Sequence, residues 1–210
     1  MDISFIRHGQ SIYDNNTSIR GEEVLGWIKG YDENGVKEGD AYPSETLSVV
    51  REAGLVITSD LPRAMSSAAL LHPEGVFSSF SLFREAELPV PTGRLLKLKP
   101  STWAVMLRLM WFMGYSSNCE SYKEAKIRAK EAADTLIQYA KNSGSVVLVG
   151  HGFFNSFIAK ELQRRGWAGK QQTSSKHWSC TTYSHPLTLN TDKQKHKDVK
   201  KGRREVNFNG

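Results

Sequence analysis

The stretch Ile3-Ser4-Phe5-Ile6-Arg7-His8-Gly9 sets the reading of this chain, because an apolar run of strand length stops abruptly on an arginine and a histidine. A parallel sheet builds its site at the carboxyl ends of its strands. Three later strand-like runs also lead into charged or imidazole side chains. Leu55 to Thr58 precedes Arg63, Val76 to Phe83 precedes Glu85, and Val146 to Val149 precedes His151. Strand-like and helix-like segments alternate along the chain, which predicts an α/β fold: three α/β/α layers around a mostly parallel central sheet. In such a sheet Arg7 and His151 meet at one edge although 144 positions separate them.

Punctuation residues mark the elements. Ser44 to Glu52 reads as a short helix ended by Gly54, and Pro62 suits the first turn of a helix to Leu71, where its missing N–H loses no partner. His72-Pro73 stops that helix. Val76 to Phe83 reads as a strand covered on both faces. The clearest helix runs from Ser121 to Asn142, with Ala125, Ala129, Ala132, Ala133, Leu136, Ile137 and Ala140 at helical spacing. Ser121 and Glu124 form a capping-box pattern at its start, and Gly144 lies just past its end. Trp178 to Tyr183 reads as a last strand, antiparallel at an edge, while Gln10 to Tyr42 reads mostly as loop and short helix.

At 210 residues and 39% hydrophobic, the chain has the size of one domain with a small insertion. The expected organisation is an α/β domain over residues 1–187, a helical cap inserted at about 90–120, and a basic, disordered tail over 188–210. Residues 191–210 carry seven Lys or Arg against three acids, so they supply +4 of the formal +6 and leave the body nearly balanced. That balance argues against a dedicated nucleic-acid binder and leaves only the tail for such a contact. Cys119 and Cys180 stand at no metal-ligand spacing, which favours neither a disulfide framework nor a zinc site and suits a reducing compartment. No signal-peptide pattern is visible, and Trp103 to Met113 is too short and too charged to cross a bilayer. The expectation is a cytoplasmic protein with no membrane partner; no oligomeric state is prescribed.

Arg7, His8, Arg63, Glu85 and His151 together are a phosphate-handling set. Guanidinium groups bind phosphoryl oxygens in bidentate fashion, and N–H groups at helix starts add donors. A neutral imidazole can attack phosphorus, while a carboxylic acid protonates the leaving oxygen. Each residue has an ordinary alternative. Arg63 can pair with Asp60, His151 can cap a tight turn between two glycines, and Glu85 and Glu87 can be solvated charges beside Arg84. His72, His177, His185 and His196 have no comparable setting and receive no role.

Four blocks in this order, Arg7-His8-Gly9, Ser59-Asp60-Leu61-Pro62-Arg63-Ala64, Arg84-Glu85 and Gly150-His151-Gly152, resemble the signature of the histidine phosphatase superfamily, also called phosphoglycerate mutase-like. The resemblance covers residues 1 to about 185. It implies that His8 is the phosphorylated nucleophile, that Arg7, Arg63 and His151 grip the phosphate, and that Glu85 is the general acid, with Glu87 its rival. Family members often carry an asparagine seven residues after the first arginine. That position is Asp14 here and the asparagine is Asn15, the candidate for this contact. The family's cap implies specificity roles for Trp103, Arg108, Trp111 and Tyr115, although an apolar stretch of this kind also suits a core.

The resemblance implies no metal and no cofactor. Two arginines and two imidazoles can offset much of a phosphate's charge, and the glycine-rich loop of a triphosphate site is absent. The leading expectation is a phosphomonoesterase acting on a small phosphorylated metabolite. The alternatives are a phosphoglycerate mutase-type phosphotransferase, a protein phosphohistidine phosphatase, and a non-catalytic phosphate-binding regulator.

Overall fold

The structure, a computed structural model, describes residues 1–39, 41–91, 93 and 96–186. Its centre is a six-stranded sheet formed by β1 (Asp2–Arg7), β2 (Leu55–Ser59), β3 (Ser78–Phe80), β4 (Ser145–Gly150), β5 (Ala168–Gly169) and β6 (Cys180–Ser184), in the order β3-β2-β4-β1-β6-β5. The four strands from β3 to β1 are parallel, whereas β6 runs antiparallel to β1 and β5 antiparallel to β6. The expected basic tail lies outside the described residues.

Alternation along the central strands divides the interior into two layers. Ile3 and Phe5 of β1, with Val146 and Leu148 of β4, pack beneath α5 (Tyr122–Ser143) and α6 (Gly152–Arg164). Ile6, Val147 and Val149 face the opposite way, toward α2 (Ser44–Arg51) and α3 (Pro62–Leu71). Both faces of β1 and β4 are covered, so these strands read as near-continuous apolar runs. The buried face of α5 is mainly alanine, which brings its backbone close to its neighbours. Ser121 and Glu124 close the predicted capping box, each side chain accepting from the other's backbone N–H. Gly144 ends the helix at φ 79°, a conformation open to glycine.

A third apolar cluster joins α4 (Pro100–Phe112) to α1 (Val24–Asp32), with Trp103 and Leu107 buried against Val24. Among the described residues no helix is long and apolar enough to cross a membrane.

Two strands differ from the sequence reading. The run Val76 to Phe83 contains only the three-residue β3, followed by a 3-10 turn at Ser81–Phe83. It pairs with β2 alone, so Val76 faces solvent at 88% exposure while Phe83 is buried as an anchor. The last strand is antiparallel as expected, but it is not at the edge, because Ala168 and Gly169 pair outside it.

The register has a direct consequence for the site. Arg7 stands opposite Gly150 across the β1–β4 ladder. His8 and His151 are therefore the next residues beyond a matched pair, and parallel pairing makes them neighbours.

Candidate active site

The rings of His8 and His151 lie 5.2 Å apart between centroids, and both side chains are buried. Nδ1 of His8 is 2.7 Å from the Gly9 carbonyl oxygen. A carbonyl only accepts, so Nδ1 carries the hydrogen and Nε2 keeps its lone pair. Burial first, then the nearby Arg63 and Arg7 guanidiniums, lower the His8 pKa to about 3. The imidazole is neutral at physiological pH, the state a nucleophile needs.

Two guanidiniums and a neutral imidazole complete a cage around it. Arg63, the second residue of α3, is 3% exposed. One edge of its guanidinium donates to Asp32 Oδ1 at 2.7 Å and its carbon sits 4.7 Å from the centre of the Tyr31 ring, while Nε is buried with no hydrogen-bond partner among the described residues. Asp60, its partner in the ordinary alternative, is instead held by Arg84 through two bonds of 2.6 and 2.8 Å. Arg7 Nη1 donates to the Ser175 carbonyl, and its buried Nε is also without a partner among the described residues. His151 is fully buried, and both its ring nitrogens lack a partner among the described residues. Burial, reinforced by Arg63 and His8, pushes its pKa well below the ordinary histidine value. Buried polar atoms left unsatisfied are costly, so an oxyanion that fills this cage gains bonds already prepared for it.

Depressed histidines also link stability to pH. The unfolded imidazole takes up a proton as pH falls through 6.5, whereas folded His8 resists protonation down to about 3. Stability is therefore complete above 6.5 and is lost as pH falls toward 3. At pH 5 the contribution of His8 alone is a loss of about 2 kcal/mol, from about 1.4 kcal/mol per pH unit. Urea titrations of the wild type and His8→Phe at pH 7 and 5 are expected to show the smaller pH effect in the variant.

Glu85 faces the cage from the loop after β3. Its carboxylate accepts from the Phe154 N–H at 2.8 Å and the Phe153 N–H at 3.2 Å, at the start of α6. It lines a pocket of about 460 Å³ together with Arg7, Phe153 and Ser175. Glu87 is exposed and turns away to accept from the Glu120 N–H at 3.2 Å. Two arginines hold the intervening backbone. Arg108 donates to the Ala86 and Glu87 carbonyls at 2.6 and 3.1 Å, and Arg128 to those of Leu82 and Arg84 at 2.9 Å each.

The other sequence candidates stand elsewhere. Asn15 is exposed, its side-chain oxygen accepting from the Thr17 N–H in a local turn at 3.1 Å. Trp103 is core, with its indole N–H on the Ile19 carbonyl at 2.9 Å. Trp111 is fully buried, donating to the Glu120 carbonyl at 2.7 Å. Tyr115 donates to the Val90 carbonyl at 3.0 Å. Arg108, stacked 4.3 Å from the Phe153 ring centre, supports the Glu85 loop rather than lining the pocket.

His177, given no role from sequence, lies beside His8. Its ring centroid is 5.6 Å from that of His8, and its Nδ1 is 2.8 Å from the His8 carbonyl oxygen. The adjacent Trp178 adopts φ 63°, uncommon for a bulky side chain. That turn aligns its N–H with the Arg7 carbonyl at 3.0 Å and lays its indole across Gly9. On the other side, the buried Ser67 hydroxyl accepts from the Gly9 N–H at 2.9 Å. A Cβ at position 9 would fall 2.0 Å from the indole. Gly9→Ala is expected to destabilise the fold by about 1–3 kcal/mol through overpacking and to lower turnover by displacing His8. Thermal melts and steady-state kinetics of the soluble variant check both.

The chain matches the model of the histidine phosphatase superfamily (branch 1) over residues 3–186. No curated protein matches it. Among solved structures it resembles a mycobacterial glucosyl-3-phosphoglycerate phosphatase, with 20% identity, TM-score 0.55, and coverage of 87% of this chain and 92% of that one. It also resembles an α-ribazole-5'-P phosphatase assignment from Escherichia coli, with 14% identity, TM-score 0.57, and coverage of 89% and 92%. A phosphoserine phosphatase mutant from Entamoeba histolytica shows 14% identity, TM-score 0.54, and coverage of 89% and 91%. These likenesses concern the fold; the model match, spanning nearly all of the described chain and containing every member of the cage, makes this chain a member of the histidine phosphatase superfamily.

Proposed function

We propose that the chain is a metal-independent phosphomonoesterase that works through a phosphohistidine on His8 and acts on a small phosphorylated metabolite. The observation that carries this reading is the buried neutral His8, its Nδ1 tied to the Gly9 carbonyl and its ring flanked by Arg7, Arg63 and His151. The guanidiniums supply the positive charge that stabilises a transferring phosphoryl group.

The reaction has two displacements. The Nε2 lone pair of His8 forms a bond to phosphorus as the ester P–O bond breaks, and the leaving oxygen takes the proton of the Glu85 carboxyl group. Water then attacks phosphorus and gives a proton to the Glu85 carboxylate. The P–N bond breaks, inorganic phosphate departs, and Nε2 regains its lone pair. Arg7, Arg63 and His151 hold the phosphoryl oxygens in both steps, and Asp32 and Ser175 keep the arginines in place.

The test is a trapping experiment. Enzyme mixed with a 32P-labelled phosphomonoester and denatured in alkali, where phosphohistidine survives, is expected to carry label on the peptide containing His8. No label at mixing times shorter than one turnover, under conditions where substrate is hydrolysed, rejects the intermediate.

A further inference from the structure

The pocket beside the cage is larger than a phosphate requires, and its polar walls carry an unpaired charge. It extends from Arg7 and Glu85 along α6 and under the loop before β6. Gly152, Ser156 and Lys160 line it at successive four-residue steps, one face of the helix. At about 1.5 Å per residue, Lys160 lies about 12 Å along the axis from the start of α6, and its side chain can reach part of the way back.

The groups along this wall are ready to bond. Ser156 donates its hydroxyl hydrogen to the Phe153 carbonyl at 2.6 Å, which leaves its oxygen as an acceptor. The side chains of Gln172, Thr173 and Lys160 make no hydrogen bond or ion pair among the described residues. The pocket's single carboxylate, Glu85, is already engaged by backbone N–H groups at the opposite end. Beyond Lys160 an adjoining groove continues with Lys126, Glu161 and Arg164; Glu161 is paired with Arg164, so the ammonium groups of Lys160 and Lys126 are left without a carboxylate there.

We propose that Lys160 is a specificity-determining residue that receives a second anionic group of the substrate, with Ser156, Gln172 and Thr173 bonding hydroxyl groups between the two charges. The substrate class is a phosphomonoester of a hydroxyl-rich carrier, such as a sugar or sugar acid, bearing a further carboxylate or phosphate. This inference rests on the phosphatase reading above.

A matched pair of probes tests it: glucose 1-phosphate and glucuronic acid 1-phosphate, which differ by one carboxylate, with phenyl phosphate as reporter of the basic reaction. The wild type is expected to favour the glucuronic acid ester by roughly tenfold in kcat/KM, a preference that weakens with added salt because exposed charges are screened. Lys160→Ala is expected to bring the ratio near one, Lys160→Arg to retain it, and Lys160→Glu to invert it. A ratio that none of the three variants moves, or no turnover of glucuronic acid 1-phosphate by an enzyme active on phenyl phosphate, overturns the inference and leaves the phosphatase reading standing. Failure of the wild type on all three esters removes the phosphatase reading itself.

Discussion

His8→Ala is expected to lower kcat by roughly 10⁴-fold or more on every phosphomonoester the enzyme accepts, in line with the loss of a nucleophile whose partners cannot act alone. On the proposed mechanism the substitution removes the atom that forms the P–N bond and leaves Arg7, Arg63 and His151 in place. Substrate binding should therefore survive the loss of turnover. Equilibrium binding of a phosphomonoester by calorimetry, beside steady-state rates, separates the two effects. A variant that retains turnover within tenfold of the wild type would show that water attacks the ester directly. A variant that neither turns over nor binds would assign His8 to the grip instead of the attack. The latter outcome conflicts with a ring whose Nδ1 is committed to the Gly9 carbonyl and whose basicity is strongly suppressed.

Glu85→Gln is expected to cost roughly 10²–10⁴-fold, the usual range for removal of a general acid, and the loss should depend on the leaving group. An alkoxide needs a proton as the ester bond breaks, whereas a nitrophenolate departs readily without one. The variant should thus lose far more activity on an alkyl phosphate than on p-nitrophenyl phosphate. With the nitrophenyl ester, dephosphorylation should become rate-limiting and give a burst of nitrophenol. Glu87→Gln is the comparison: its side chain faces the Glu120 N–H, so a change of less than about threefold is expected. Equal losses on both esters in Glu85→Gln would make Glu85 a positioning group for the start of α6, where Phe153 and Phe154 donate to it.

Much of the arrangement was legible because central parallel strands carry two forms of information at once. Ile3 to Ile6 and Val146 to Val149 are covered on both sides, so their composition alone marks them as strands. The residue after each run is then forced to the same edge by the pairing of Arg7 with Gly150. The short edge strand lacked this advantage. With β2 as its only partner, Val76 to Phe83 could mix a three-residue ladder, a 3-10 turn and an exposed valine without losing its apolar look. His177 escaped notice for a different reason. Its place follows from the left-handed turn at Trp178, and the sequence Ser-Ser-Lys-His-Trp-Ser has no glycine or asparagine to announce such a turn. The bracing of the Glu85 loop by Arg108 and Arg128 was equally silent, since there they donate to the backbone carbonyls of a distant segment, which carry no side-chain signature.

On the proposed reading, the polar atoms of His151, Arg7 and Arg63 that lack a partner among the described residues receive phosphoryl oxygens, and they make no distinction between an ester and the free ion. Inorganic phosphate, the second product, is therefore a competitor built into the reaction. Where it is abundant, the resting enzyme is expected to be product-bound, stabilised by mass action against unfolding and held back from its next cycle. A substrate would then win the cage only through what its organic half adds, which on the proposed reading places efficiency in such a medium along the α6 wall rather than at the histidine.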